Sequence, residues 1–274
     1  MCSVASPDAV VCHNLLRVYD SPSGRVQAVR GLDMVVPEGE VTAVVGPSGS
    51  GKSSLLRMIS GLDRPTAGEV VVGGISLGGL SERRLRRVRH ALVSNIYQRP
   101  GDNLLPKHTA IEQVRRVALR RGAAVAEADA MLERVGLTDR RHHLPNEMSG
   151  GEQQRLAFAR GAVGSPTVVI ADEPTAELDS HSGDRVIETM RELAELGTTI
   201  VAATHDPAVM KSADHIVTLR DGALASVTSR NEELAVIDQS GRIQIPPHVR
   251  SWFPGDRAVL RVDEATNRIW IERP

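Results

Sequence analysis

The stretch Gly46-Pro47-Ser48-Gly49-Ser50-Gly51-Lys52-Ser53-Ser54 carries the clearest chemistry in the chain. Gly46 to Ser53 fill the pattern Gly, four residues, Gly, Lys, Ser or Thr, in which backbone N–H groups cradle phosphate oxygens. The glycines allow close backbone approach, and the N-terminus of a following helix adds partial positive charge. Lys52 is placed to reach the outer phosphates and Ser53 to offer its hydroxyl to Mg²⁺. Farther on, the apolar run Thr167-Val168-Val169-Ile170-Ala171 ends in Asp172-Glu173. Downstream of a phosphate loop, such a strand end supplies catalytic carboxylates. Asp172 is expected to hold Mg²⁺ directly or through water. Glu173 is expected beside the γ-phosphate of a nucleotide, orienting or deprotonating the attacking water. Read without the loop, a carboxylate at a strand end is a structural cap. Ser149-Gly150-Gly151-Glu152-Gln153-Gln154-Arg155 opens a helix whose N-terminus can face an anion. The same residues also read as a plain N-cap, with Ser149 satisfying free N–H groups.

These residues need particular elements to hold them. Val41 to Val45 is a β-rich run before the phosphate loop, and Leu55, Leu56 and Ile59 fall at helical spacing after it, with Gly61 as a stop. Strand, loop and helix is the geometry the phosphate pattern requires. Residues 10–45 read as short strands separated by turns at Ser21-Pro22-Ser23-Gly24 and Pro37-Glu38-Gly39-Glu40. Gly68 to Gly74 reads as a strand ending in a turn. Ser81 to Leu92 is an arginine-rich helix, which reads as a solvated face before it reads as a nucleic-acid surface. From Pro100 to Gly161 the texture is helical, with Ala128, Met131, Leu132 and Val135 on one face and Gly136 closing the helix. A second apolar strand, Thr199 to Ala203, follows a helix marked by Val186, Met190 and Leu193. Apolar strands alternating with helices predict an α/β domain built on a parallel sheet covered on both faces. From Leu234 the chain reads as short alternating strands, among them Arg242 to Ile245, Ala258 to Val262 and Arg268 to Ile271. Turns are signalled at Gln239-Ser240-Gly241, at Phe253-Pro254-Gly255-Asp256 and around Thr266-Asn267.

At 274 residues the chain can hold one large domain and a small one. A formal net charge of -1 gives no global field toward nucleic acid or an anionic membrane. The two cysteines, Cys2 and Cys12, make no metal pattern and fit a reducing compartment. No run approaches the ~18 apolar residues of a membrane span, and no signal peptide is expected. Membrane association is therefore expected to come through a partner.

Taken together, the motifs from Tyr19 to His205 resemble the ATPase subunit of an ATP-binding cassette (ABC) transporter, in that family's order. The resemblance implies a P-loop ABC ATPase over residues 1–230, with a helical subdomain at about 99–160. Tyr19 would then stack on adenine, and Gln98 would link the Mg²⁺ site to the helical subdomain. Ser149, Gly150, Gly151 and Glu152 would form the signature sequence that meets the nucleotide of a second chain. Asp179, in Ala176-Glu177-Leu178-Asp179, would lie in the loop crossing the dimer interface, and His205 would contact the γ-phosphate. The signature reads Met148-Ser149-Gly150-Gly151-Glu152 where the family usually has Leu-Ser-Gly-Gly-Gln. Asn103-Leu104-Leu105-Pro106 resembles the lipoprotein-release and macrolide-exporter branch, at a longer spacing from Gln98 than is usual there.

Val236 to Pro246, continued by Trp252 to Ile271, is similar to AbrB/MazE-type swapped-hairpin domains. This implies a small β-rich domain at 231–274 with a dimerising or regulatory role. About forty residues bury little core alone, so pairing is physically reasonable. Arginines in the tail are balanced by Asp238, Asp256, Asp263 and Glu264, so it is not a basic stripe. The function expected is ATP hydrolysis with Mg²⁺ by a homodimer, driving transport through separate permease subunits at the cytoplasmic face of the cell membrane. The rival is a soluble ABC-type ATPase in DNA or gene-regulatory work, with the tail as DNA reader. A third reading, a regulator that only binds nucleotide, conflicts with the presence of both Glu173 and His205.

Overall fold

The computed structural model describes residues 8–22, 24–229, 232–234, 252–253, 259–263 and 268–272. Two sheets make up the body. The larger has seven strands in the order β11-β10-β9-β3-β8-β7-β6: Glu232–Leu234, Ala223–Ser229, His215–Arg220, Val41–Val45, Ile200–Ala203, Val168–Asp172 and Val93–Ile96. From β9 to β6 the neighbours run parallel, and β10 and β11 add an antiparallel edge. All five residues of β3 are buried, as are the four of β8. Continuous apolar strands of this kind are what a sheet covered on both faces demands.

The smaller sheet is antiparallel, in the order β2-β1-β4-β5: Gly24–Pro37, Asp8–Ser21, Ala67–Val72 and Ile75–Ser76. Here the expectation of short strands is corrected: β1 and β2 are each 14 residues long and form one hairpin. The register shifts at several points, including between Cys12 and Leu15 and between Arg17 and Val18. Each bulge flips the inward face, so the alternation along β1 breaks up and looks like several short strands.

Among the described residues the α-helices are seven: α1 (Lys52–Ile59), α2 (Glu82–Leu92), α3 (Ala110–Arg121), α4 (Val125–Arg134), α5 (Gly150–Ala162), α6 (Ser180–Glu195) and α7 (Pro207–Ser212). Helix α1 touches β2 and β4 of one sheet and β7 and β8 of the other. Its Leu55, Leu56 and Ile59 join Val10, Leu15 and Val44 in a core shared by both sheets. On the opposite side α3, α4, α5 and α6 enclose a second core around Phe158, Leu132 and Met190. Thr109 and Glu112 box the start of α3, and Gly122 in the left-handed conformation ends it. No helix among the described residues is long and apolar enough to cross a membrane.

Beyond the body, β12 (Val259–Asp263) and β13 (Arg268–Glu272) form an antiparallel hairpin. Arg242 to Ile245, the turn at Gln239-Ser240-Gly241, Pro254 to Asp256, and Thr266-Asn267 lie outside the described residues, as does Cys2.

Candidate active site

The phosphate loop joins β3 to α1. Gly51 caps the helix in the left-handed conformation at φ 101°, without a side-chain cap and without an acidic residue in the first turn. The helix start is therefore open to an anion. Backbone crowding shows why glycine is required. A Cβ on Gly46 would lie 2.3 Å from the Leu219 carbonyl oxygen, and one on Gly51 would lie 2.3 Å from that of Ala28. Ser50 Oγ is buried there without a hydrogen-bond partner. An unpaired buried hydroxyl suits a site that receives an acceptor. Lys52 Nζ donates to the carbonyl oxygens of Gly46 at 2.7 Å and Pro47 at 3.2 Å, which folds its charge back over the loop.

Facing the loop are the ends of two neighbouring strands. Asp172 ends β7, and Glu173 follows with φ 47°, a conformation rare outside glycine. Its N–H donates to Ala203 O at 2.8 Å, which ties the turn to the end of β8. One Glu173 oxygen meets His205 Nδ1 at 2.9 Å, and the other accepts from the His205 N–H at 3.3 Å. Burial, then the nearby Glu173, pushes the Asp172 carboxyl above its ordinary range, against the pull of Lys52. The hydrogen bond to Glu173, then the charge of that carboxylate, raises the His205 pKa.

A cleft of about 710 Å³ collects these groups, with Gln98, Ser53, Ser54 and Tyr19 also on its wall. Val26, Gln27 and Ala28 also line it, and sequence reasoning missed all three. Their signal is the hairpin register, which sets Val26 opposite Tyr19. The donors present fit Mg²⁺, a hard cation that takes oxygen ligands and keeps substrate phosphates and water. Ser53, Gln98 and Asp172 supply a hydroxyl, an amide and one carboxylate in that cleft. Among the described residues no cluster of three or more His, Cys, Asp or Glu could hold a metal alone.

The second predicted cluster lies elsewhere. Ser149 to Glu152 and Asp179 do not line the cleft of their own chain. The plain N-cap is present: Ser149 Oγ accepts from Glu152 N at 3.2 Å, and a Glu152 oxygen accepts from Ser149 N at 2.8 Å. Arg140 holds Glu152 at 2.9 Å. A Cβ on Gly151 would meet Ser182 Cβ at 2.8 Å, so the starts of α5 and α6 lie against each other. Asp179 caps α6 by accepting from Ser182 N at 3.0 Å, and that bond lowers its pKa.

Residues 29–176 match the model of a protein family described as ABC transporter. A lipoprotein-releasing system ATP-binding protein LolD from Shewanella sp. (strain MR-4) is 45% identical over 214 residues, covering 76% of this chain and 92% of that protein. An ABC transporter ATP-binding protein of Thermotoga maritima is 41% identical over 218 residues, covering 78% of this chain and 92% of the relative. Among solved structures, the dimeric post-hydrolysis state of the ATP-binding cassette MJ0796, bound to ADP and Pi, matches with a TM-score of 0.71 and 32% identity. That match covers 80% of this chain and 98% of the other. With the phosphate loop, the paired carboxylates and a separate capped helix start all on this fold, the chain belongs to the ABC transporter family as an ATP-hydrolysing, nucleotide-binding cassette.

Proposed function

We propose that two copies of this chain meet head to tail and hydrolyse ATP between them, driving transport through separate membrane subunits. Each ATP lies between Gly46 to Ser53 of one copy and Ser149 to Gly151 of the other. One observation carries the reading: a single chain holds an open, loop-bearing cleft and, outside it, a second helix start flanked by Asp179. Within the cleft Lys52 and the loop amides neutralise the phosphates, and Tyr19 stacks on the base. Glu173 accepts the proton of the attacking water, and His205 orients Glu173 and reaches the γ-phosphate. Ser53, Asp172 and Gln98 would hold Mg²⁺, which would supply neutralising charge for phosphoryl transfer.

The branch we assign is that of lipoprotein release and macrolide export. Support comes from the LolD-named relatives and from Asn103-Leu104-Leu105-Pro106. Asn103 accepts from Tyr97 N at 2.7 Å and donates to Tyr97 O at 2.9 Å, closing the loop after Gln98. The work is placed at the cytoplasmic face of the cell membrane, where permease subunits dock. Of the small domain expected at 231–274, Glu232–Leu234 joins the body's sheet as β11, and the part beyond it is assigned to an AbrB-like dimerising element. Exposed Trp252, Leu260 and Trp270 give it an apolar surface to bury.

Mixed dimers test the geometry. Ser149→Arg and Lys52→Ala chains are each expected to be inactive alone. Combined, they place both defects in one composite site and leave the other intact, so hydrolysis should return. Absence of recovery in verified heterodimers would reject the head-to-tail arrangement. For the tail, the full chain is expected to be dimeric without nucleotide, whereas a chain ending after Leu234 is not; equal behaviour of the two would remove the tail's dimerising role.

A further inference from the structure

Tyr19 does not stand alone in the lining of the cleft. Its hydroxyl donates to Asp63 Oδ2 at 2.7 Å. The other oxygen of the same carboxylate, Oδ1, accepts from Arg17 Nη2 at 2.8 Å and from the Arg64 N–H at 3.0 Å. The Arg17 guanidinium carbon lies 4.3 Å from the centroid of the Tyr19 ring. Arg17 and Tyr19 both belong to β1, and this contact brings their side chains together across the register shift between Arg17 and Val18. Both side chains of the ion pair are largely withdrawn from water, Arg17 at 22% and Asp63 at 15% exposure. Tyr19 lines the cleft, and Arg17 and Asp63 do not. The guanidinium therefore covers the ring face turned away from the nucleotide site, and the other face is left for the base.

We propose that Arg17 and Asp63 are positioning residues that fix Tyr19 as a one-faced stacking platform, and that they set the base-dependent share of nucleotide affinity. The inference rests on the reading of Tyr19 as the adenine-stacking residue. A tyrosine near the turn of a hairpin is otherwise free to rotate about its side-chain bonds, and base binding must then order it. Asp63 fixes the ring's tip and Arg17 its back, so that ordering precedes binding. Pre-organised contacts keep more of their gross interaction energy as affinity. The guanidinium also draws on the ring's electron density, which favours stacking of a second π-system on the open face. Asp63 follows α1 by four positions, and its N–H donates to Arg57 O at 3.1 Å. The base platform is thus anchored to the far end of the helix whose first residues hold the phosphates.

The test compares a ligand with a base and one without. Binding of Mg-ATP and of Mg-tripolyphosphate is measured on the full chain for Arg17→Met, Asp63→Asn, Arg17→Lys and Tyr19→Ala. Arg17→Met and Asp63→Asn are expected to weaken ATP binding by about three- to tenfold. They should leave tripolyphosphate binding and kcat at saturating ATP as they were. Arg17→Lys should recover part of the loss. A general defect of folding would instead weaken both ligands together, and that outcome overturns the proposal. If Tyr19→Ala lowers ATP affinity while Arg17→Met and Asp63→Asn do not, the positioning role falls and stacking stands. If Tyr19→Ala changes nothing, the stacking reading falls and takes this inference with it.

Discussion

Two helix starts in this chain carry glycine and serine, and their structures differ in kind. At α1 the cap is Gly51, left-handed, without a side-chain acceptor and without an acidic residue in the helix's first turn. At α5 the cap is Ser149, extended, with its own hydroxyl and Glu152 satisfying donors on both sides. The first end leaves its N–H groups for a ligand and needs one to neutralise it. At the second, the Glu152 N–H is already satisfied within its own chain, and a negative side chain sits in the first turn. An end of the first kind can hold a triphosphate alone. An end of the second kind suits a lid that meets a ligand held elsewhere. The head-to-tail proposal assigns these roles on that ground.

Substitutions at and around the two ends put this contrast to the test. The largest effect belongs to the carboxylate facing the open end. Glu173→Gln should lower turnover by about 10²–10⁴-fold and leave ATP affinity near the original. Phosphate release and nucleotide binding measured together decide it, and near-normal release would remove Glu173 as the base. Next come the glycines. Gly51→Ala places a Cβ 2.3 Å from a carbonyl oxygen at φ 101°, so it should cost about 1–3 kcal/mol of stability and disrupt nucleotide binding. Gly150→Ala meets only the end of Leu178 at 3.3 Å, and should shift stability by no more than about 1 kcal/mol. Denaturant unfolding of the two variants, without nucleotide, compares the two ends directly; equal costs would erase the distinction drawn between them.

A smaller effect is expected from the cap itself. Ser149→Ala should lose about 1 kcal/mol of stability in the absence of nucleotide, because the Glu152 N–H loses its acceptor. No change in unfolding midpoint would mean that the box is not maintained in solution. The smallest effect concerns His205. Its pKa is raised above the ordinary 6.5 by Glu173. The pair's contribution is therefore complete below that ordinary value and is lost as pH rises through the raised one. The side chain is 77% exposed, so solvent screening keeps the stability change small. An NMR titration of His205 should show the raised midpoint, and Glu173→Gln should return it toward the ordinary one. Identical midpoints in the two proteins would dissolve the pair.

The open end was the more legible of the two in the sequence, because its demands are local. Phosphate cradling, the lysine and the flanking strand and helix occupy one continuous stretch, Val41 to Ile59. The parallel sheet was legible for a related reason: strands buried on both faces are apolar throughout. The β1–β2 hairpin was not, since its bulges scramble the inward face along Asp8 to Ser21. Ser149 to Glu152 could be read locally as a cap, and that is what the chain shows; their service to another copy's nucleotide came only through family resemblance. The Arg17–Tyr19–Asp63 cluster escaped notice because Asp63 lies 44 positions from Tyr19 and farther still from Arg17. Nothing in the local pattern marks Asp63, which sits in an ordinary Gly61-Leu62-Asp63-Arg64 turn.

The cleft's two walls belong to different sheets: Tyr19 and Val26 to the antiparallel hairpin, the phosphate loop to the end of a parallel strand. A nucleotide lying between them acts as a removable cross-link. At about a hundredfold excess over its dissociation constant, a ligand adds about 2.7 kcal/mol to the native state. That increment protects the segments whose opening would release the ligand, and local openings that leave the cleft intact do not share it. Amide hydrogen exchange should therefore slow along β1, β2, β3 and α1 when nucleotide is added, while β12 and β13 keep the rate they have without it. The cassette is in this sense a molecule whose local stability is set by the cell's supply of nucleotide.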